Sequence, residues 1–207
     1  MRHNRIVFLL GYLLLVSLAA CGESKPVRLY VLTAVAEKPE TASGPGIPIV
    51  VGPVTLPKYL DRPQVVSRIA SNSLDQSEFD QWGGDLNDNI TRVLATNLAV
   101  MLNTNRVFMF PSKDPTPPEY QITVDVTKFE QDVDGGVVLN AFWSIVNPAD
   151  DKVLVRVRSS YNGGSVASVS GGAANRQAYD ALVAAMSRDL EALSRDIAAA
   201  VAKIRRS

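Results

Sequence analysis

The single cysteine of this 207-residue chain, Cys21, stands at the end of an apolar export segment. Two arginines, Arg2 and Arg5, precede an apolar run from Ile6 to Ala20, which is typical of a secretory signal that is later removed. This run is shorter than the roughly 20 residues that a helix needs to cross a bilayer. We therefore expect export followed by cleavage, and we assign residues 1–20 to a signal peptide.

The Leu-Ala-Ala sequence directly before Cys21 resembles the lipobox of bacterial lipoproteins. In that motif the cysteine thiol is joined to diacylglycerol, and the cysteine becomes the new N-terminus, which commonly carries a palmitate chain as well. The resemblance implies acylation of Cys21, with residues 21–27 as the lipidated N-terminus and a short tether. The six residues after the cysteine reach at most about 20 Å, so we expect the folded body to lie close to the membrane.

The export segment also contains His3, the only histidine of the chain. Once residues 1–20 are removed and Cys21 is acylated, no free imidazole and no free thiol remain. Nucleophilic sites of the Ser-His-Asp and Cys-His types and zinc sites of the Cys/His type are therefore excluded. No disulfide can form within one chain, so the apolar core alone must hold the fold. We predict no catalytic residue, no metal and no cofactor.

The charge balance argues against nucleic acid as a partner. The chain has 21 basic and 21 acidic side chains, and loss of Arg2 and Arg5 with the signal leaves 19 basic residues against 21 acidic ones. Binding to nucleic acid depends on clustered Lys and Arg, and the sequence contains no such run. Hydrophobic residues make up 46% of the chain, and we find neither a repeat nor a shift of composition. These features predict a single folded domain over residues 28–207.

Most of the predicted strands are marked by β-branched residues or by alternation of apolar and polar residues. They are Arg28–Thr33, Ile47–Val54, Gln64–Ala70, Asn105–Phe110, Tyr120–Thr127, Val137–Val146 and Val153–Ser160. The hairpin signal Asp134-Gly135-Gly136 predicts that the last three strands are consecutive and antiparallel. The polar stretch Ser71–Asp85 is predicted to be a loop.

Two helices are predicted from apolar residues that recur at intervals of three and four. The first begins near Asp88, with Asp85 or Asp88 as its N-cap, and the second runs from about Asn175 to Arg205. Because strands need cover, we expect both helices to pack on the sheet. The predicted fold class is α/β, a single domain with a mixed, largely antiparallel β-sheet and two main helices packed on it.

Two segments predicted to be loops contain the residue types that dominate protein interfaces. We identify them as a candidate partner-binding surface, although the aromatic residues could instead fill the core beneath their loops. The candidate residues are Tyr59, Leu60, Asp61, Arg62, Phe79 and Trp82.

The same region carries several carboxylates, including Asp75, Glu78 and Asp80. Paired carboxylates can serve as acid and base in glycan hydrolysis, so a carboxylate hydrolase is one alternative function. The spacing fits no calcium-binding pattern, and a solvated acidic loop explains it more simply.

Three runs carry a resemblance to a known family: Val51 to Pro63, Phe79 to Trp82, and Asn89 to Leu98. Together with the lipobox they resemble the PqiC family of ABC-transport auxiliary lipoproteins over nearly the whole mature chain. Gly83 and Gly84 depart from the family pattern, in which a pair similar to Ala-Glu leads into the helix.

The resemblance implies an outer-membrane lipoprotein on the periplasmic face, with a fold similar to the N-terminal domain of TolB. Its implied partner is a PqiB-like protein with MCE domains that bridges the periplasm, in a system that moves phospholipid between membranes and supports envelope integrity. A homo-oligomeric ring is also implied. Gly22, rather than Asp, after the acylated cysteine suggests sorting to the outer membrane. A structural lipoprotein of another envelope assembly machine is the main alternative.

Overall fold

A computed structural model describes residues 26–34, 46–169 and 176–206. Cys21 and the rest of the predicted signal and tether up to residue 25 lie outside the described residues. The strands are β1 (Arg28–Tyr30), β2 (Ile49–Thr55), β3 (Gln64–Ala70), β4 (Ser73–Trp82), β5 (Val107–Met109), β6 (Tyr120–Gln131), β7 (Gly136–Asn147) and β8 (Lys152–Ser165). The helices are α1 (Leu86–Met101) and α2 (Arg176–Ile204).

Strand β6 organises the sheet because three other strands pair with it. Its first half pairs with β2 in parallel, its last residue Gln131 pairs with Ser67 of β3, and its other edge pairs with β7. Strand β5 extends the sheet beyond β2, β8 extends it beyond β7, and β4 and β1 follow β3. Parallel and antiparallel pairings both occur, and the longest ones, β6 with β7 and β7 with β8, are antiparallel.

Both helices pack on the sheet. α1 lies on β2 and β5, while α2 lies on β7 and β8, and the two helices also contact each other. Alternation along β6 buries Ile122, Val124 and Val126, and this face meets the apolar stripes of the helices in one core. Between the helices, the buried amide of Asn97 donates a hydrogen bond of 3.2 Å to Ser194 Oγ. The predicted fold class, a single-domain mixed sheet with two helices on it, is confirmed.

The prediction that Ser71–Asp85 forms a loop is wrong, because most of it is strand β4. The chain turns tightly after β3, and β4 returns antiparallel to it, with Ala70 opposite Ser73. Polar residues indicated a loop, but much of this hairpin faces solvent, where a strand tolerates polar side chains.

The predicted helices, and the ends of several predicted strands, agree with the structure to within a few residues. Asp85 occupies the N-cap position of α1 with extended backbone angles, but its side chain makes no capping hydrogen bond. The second helix begins at Arg176, and Asn175 lies outside the described residues.

Candidate functional site

The two segments of the predicted partner-binding surface lie side by side. The backbone N–H of Trp82, at the end of β4, donates a hydrogen bond of 2.7 Å to the carbonyl oxygen of Pro63. The guanidinium of Arg62 donates to the side-chain oxygen of Gln76 on β4. Segments that are about 20 residues apart in sequence therefore form one continuous surface.

Burial divides the candidate residues into an inner and an outer group. Leu60 and Trp82 are core residues that are 3% and 5% exposed. Asp61 and Arg62 are exposed, whereas Tyr59 and Phe79 are half-buried. Asp61, Arg62 and parts of Tyr59 and Phe79 present side chains that a partner could contact directly, and Leu60 and Trp82 lie buried beneath them.

Tyr59 is fixed from below by a buried ion pair that the sequence did not reveal. Arg68 of β3 contacts the fully buried Glu130 of β6 at 2.7 Å and donates a second hydrogen bond to the carbonyl of Ser71. Burial raises the pKa of the Tyr59 hydroxyl, and the negative charge of the nearby Glu130 raises it further. The loop that carries Asp61 and Arg62 is therefore attached to the centre of the sheet.

A second polar cluster attaches β1, the strand that follows the tether, to β4. Asp80 is only 2% exposed, and the Arg28 guanidinium contacts its carboxylate twice, each time at 2.6 Å. The carboxylate also accepts hydrogen bonds from the Tyr30 hydroxyl at 2.9 Å and from Ser77 Oγ at 2.7 Å. We call these four residues the Asp80 clamp. Burial by itself would raise the pKa of Asp80, but the hydrogen bonds from Arg28, Ser77 and Tyr30 outweigh it and hold that pKa below its usual value.

Helix α2 closes over the Asp80 clamp through Tyr179. The ring of Tyr179 lies 5.6 Å from the ring of Tyr30, and the Arg28 guanidinium lies 5.5 Å from the Tyr179 ring centre. Contacts of this kind stabilise a cation over an aromatic face. β1 is thereby held by both the sheet and a helix, although it has only three residues.

The Gly83-Gly84 pair has a structural reason. The N–H of Gly83 donates to the carbonyl of Tyr30 at 2.7 Å, and a Cβ at this position would lie 3.0 Å from Val31 Cγ1. Gly84 has φ of +131°, a conformation that side chains disfavour. The pair lets the chain turn from β4 into α1 while staying close to the end of β1.

A groove runs along the outer side of α1 towards the end of β1. It consists of two neighbouring cavities of about 480 and 680 Å³, which share Arg92, Met109 and Pro111 in their linings. Arg92 crosses the groove and donates hydrogen bonds to the Leu32 carbonyl at 2.7 Å and to Asn89 Oδ1 at 3.1 Å. Sequence reasoning missed this groove because its sides come from β1, α1 and β5.

Two of the three carboxylates proposed for hydrolysis are placed in ways that do not favour acid–base work. Asp80 accepts hydrogen bonds from Arg28, Tyr30 and Ser77 in the Asp80 clamp, and Glu78 is exposed on β4. Within residues 26–34, 46–169 and 176–206, no group of three or more Asp, Glu, Cys or His side chains is placed to hold a metal ion. In the same ranges neither helix combines the length and apolarity needed to span a membrane.

Comparison with known proteins places the chain in a family. A family model described as ABC-type transport auxiliary lipoprotein component matches residues 30–198, so the chain belongs to this family. The match confirms the resemblance to PqiC-like lipoproteins drawn from the sequence. Its members are auxiliary transport components, a class that is not typically enzymatic. A search of curated proteins finds no match.

Solved structures share the fold. An uncharacterized protein studied by crystallography is similar with a TM-score of 0.64 and 17% identity, covering 86% of this chain and 99% of that one. Protein XCC0632 from Xanthomonas campestris, assigned to DUF330, is similar with a TM-score of 0.65 and 14% identity. The match covers 83% of this chain and 93% of that one. At these identities the likeness supports the fold alone.

Proposed function

We propose that this chain is a non-enzymatic docking subunit, anchored at the periplasmic face of the outer membrane, of an MCE-type system that transports phospholipid between membranes. The observation that carries the proposal is the family match over residues 30–198, which spans nearly all of the folded body. The lipobox that ends at Cys21 supplies the means of attachment.

The proposed partner is an MCE-domain protein that reaches across the periplasm, and the proposed contact is the surface formed by Asp61, Arg62 and Phe79. Arginine and aromatic side chains are frequent among the residues that dominate binding energy. Leu60 and Trp82 are buried beneath them, and the backbone N–H of Trp82 binds the carbonyl of Pro63 beside Arg62. A surface that is already rigid loses little conformational entropy when a partner binds.

The test is recovery of the partner from membranes with a tagged mature chain. We expect an MCE-domain protein to be recovered with the natural sequence and with Arg156→Glu, an exposed position on β8 that serves as a matched charge control. Arg62→Glu and Asp61→Arg should each lower recovery several-fold. Equal recovery with all variants would exclude this surface.

The identity of the recovered protein tests the function separately from the surface. Recovery of an assembly-machine subunit in place of an MCE protein would favour the structural-lipoprotein alternative. We avoid Trp82 as a probe because its truncation would leave a core cavity that costs about 3 to 5 kcal/mol, and lost binding would then report unfolding.

Outer-membrane sorting is a separate part of the proposal, and it is supported by Gly22 after the lipidated cysteine. We expect the natural chain to sediment with outer-membrane fractions and Gly22→Asp to shift it towards the inner membrane. A natural chain found in inner-membrane fractions would contradict this part while leaving the transport role intact.

A further inference from the structure

Five large apolar side chains are strongly exposed around the end of β1 and the end of β5. Leu29 is 62% exposed, and Val27, Val31, Met109 and Phe110 are each 49% or 50% exposed. We call these five residues the apolar rim. A folded domain rarely leaves a group of this kind uncovered, and such a group commonly marks a contact with a protein or a membrane.

The rim is one surface. Leu29 lies in β1, and Val27 and Val31 directly flank that strand. The three alternate with the less exposed Arg28, Tyr30 and Leu32, so they lie on the same face. Leu29 and Val31 both pack beside Gly83. Val31 also lines the 680 Å³ part of the groove together with Met109 and Phe110, which joins the two strand ends.

The rim lies where the tether enters the folded body. Val27 is six residues after Cys21, and six residues span at most about 20 Å. The Asp80 clamp fixes β1 to β4 through Arg28, a neighbour of Val27. β1 is therefore the described strand nearest in sequence to Cys21. An acyl chain at Cys21 keeps this strand, and the apolar rim around it, close to the lipid.

We propose that the apolar rim docks against the phospholipid surface in which the Cys21 acyl chains are embedded. Apolar side chains partition into the boundary between headgroups and acyl chains, and anchoring strengthens when a lipid chain is combined with a second contact. The inference rests on the acylation of Cys21 in the proposed function, and it adds a fixed orientation of the body on the membrane.

The charges beside the rim predict that the contact is apolar. Asp85, Asp88 and Arg92 line the same groove, so no excess of positive charge is present there to attract anionic lipid. Docking should therefore be equally deep on neutral phosphatidylcholine vesicles and on vesicles that also contain phosphatidylglycerol.

The test measures the depth of single labels on the acylated mature chain in vesicles. Because Cys21 carries lipid, one introduced cysteine provides the free thiol for a fluorophore, at Leu29→Cys or Phe110→Cys. The controls are Ile69→Cys and Leu74→Cys, which are also exposed apolar positions but lie on the β3–β4 hairpin. Brominated phospholipid should quench the labels at 29 and 110 several-fold more than those at 69 and 74.

The possible outcomes separate the inference from the proposed function. Release of the protein from vesicles would overturn the anchor of the proposed function, and the rim contact that rests on it would fall too. Vesicle-bound protein with all four labels unquenched and open to water would overturn the rim contact alone. Labels at 29 and 110 that are shielded from water but not quenched by lipid would mean that a second copy or another protein covers the rim, which also overturns it.

A substitution pair gives an independent readout. Val31→Ser with Phe110→Ser should reduce quenching of the label at Leu29→Cys several-fold, whereas Ile69→Ser with Leu74→Ser should leave it unchanged. Circular dichroism of each variant confirms that the fold is retained. Equal quenching in both pairs would contradict the proposal.

Discussion

Two carboxylates, Asp80 and Asp189, are almost equally buried, at 2% and 1% exposure, yet their surroundings are opposite. Asp80 accepts hydrogen bonds from Arg28, Tyr30 and Ser77. Asp189, in the middle of α2, has an Oδ2 that receives no hydrogen bond from the described part of the chain. Burial raises the pKa of Asp189 to about 7, with a small opposing effect from Arg188.

The fold stabilises a buried charge at Asp80 but not at Asp189. At Asp80 the charged form is favoured, because donors from two strands surround it. At Asp189 the neutral form is stabilised relative to the charged one, because the carboxylate loses water and its Oδ2 gains no donor from the described residues. The compensated charge lies beside the strand that follows the tether, where a firm attachment of β1 matters to an anchored protein.

The two groups give stability opposite dependences on pH. The folded pKa of Asp80 is below its unfolded value near 3.8, so its contribution is present above that pH and is lost on further acidification. The folded pKa of Asp189 is above its unfolded value, so stability from this group is present at acidic pH. It is lost as the pH rises from about 4 through about 7.

The largest expected effect comes from removing the compensated charge. Asp80→Ala leaves Arg28, Tyr30 and Ser77 without their shared acceptor and should lower the free energy of unfolding by about 3 to 5 kcal/mol. Urea denaturation at pH 7 measures the change. A loss below about 1 kcal/mol would show that the Asp80 clamp does not hold β1.

The uncompensated charge should behave in the opposite way. Asp189→Asn mimics the neutral form and should raise the free energy of unfolding by about 2 to 4 kcal/mol at pH 8, since each unit of pKa corresponds to roughly 1.4 kcal/mol. The gain should vanish near pH 4, where the natural carboxyl is already protonated. A gain that is independent of pH would contradict a raised pKa.

Glu130 lies between the two cases, because Arg68 binds Oε1 while Oε2 receives no hydrogen bond from the described residues. Tyr59→Phe removes the hydroxyl that faces this carboxylate and should cost about 0.5 to 1.5 kcal/mol. The same urea titration measures it. Destabilisation as large as that of Asp80→Ala would mean that Tyr59 is the main partner of Glu130.

The smallest effect is expected at the surface. Arg195 pairs with Glu191 at 2.7 Å one turn away on α2, but the Arg195 side chain is 64% exposed. Arg195→Ala should change the free energy of unfolding by less than about 0.5 kcal/mol, because water and salt screen such pairs. A larger loss would show that ion pairing alone, without burial, is sufficient for stability here.

The sequence predicted the elements that carry a strong periodic signal. Tyr120 to Val126 alternates regularly enough to predict β6, and the apolar stripes of both helices locate them to within a few residues. The polar residues of β4 gave no such signal, because much of the hairpin faces solvent. The sequence therefore predicts that Asp80 lies in a solvated acidic loop, whereas the structure places it at the centre of the Asp80 clamp.

The candidate surface was predictable only in part. The residue types at Arg62 and Trp82 indicated an interface, but burial of Trp82 depends on the pairing of β4 with β3 and the position of Pro63, which no local pattern encodes. The exposed set Val27, Leu29 and Val31 was not predicted. Both faces of this strand carry apolar residues, since Tyr30 and Leu32 alternate with them, so the sequence does not show which face is buried.

Anchoring at Cys21 can be tested by the intact mass of the N-terminal peptide from protein extracted with detergent from membranes. We expect a chain that begins at Cys21, with the added mass of a diacylglycerol group and a further acyl chain. An unmodified Cys21, or a chain that retains residues 1–20 and partitions into the aqueous phase, would contradict the anchor on which the proposed docking and orientation depend.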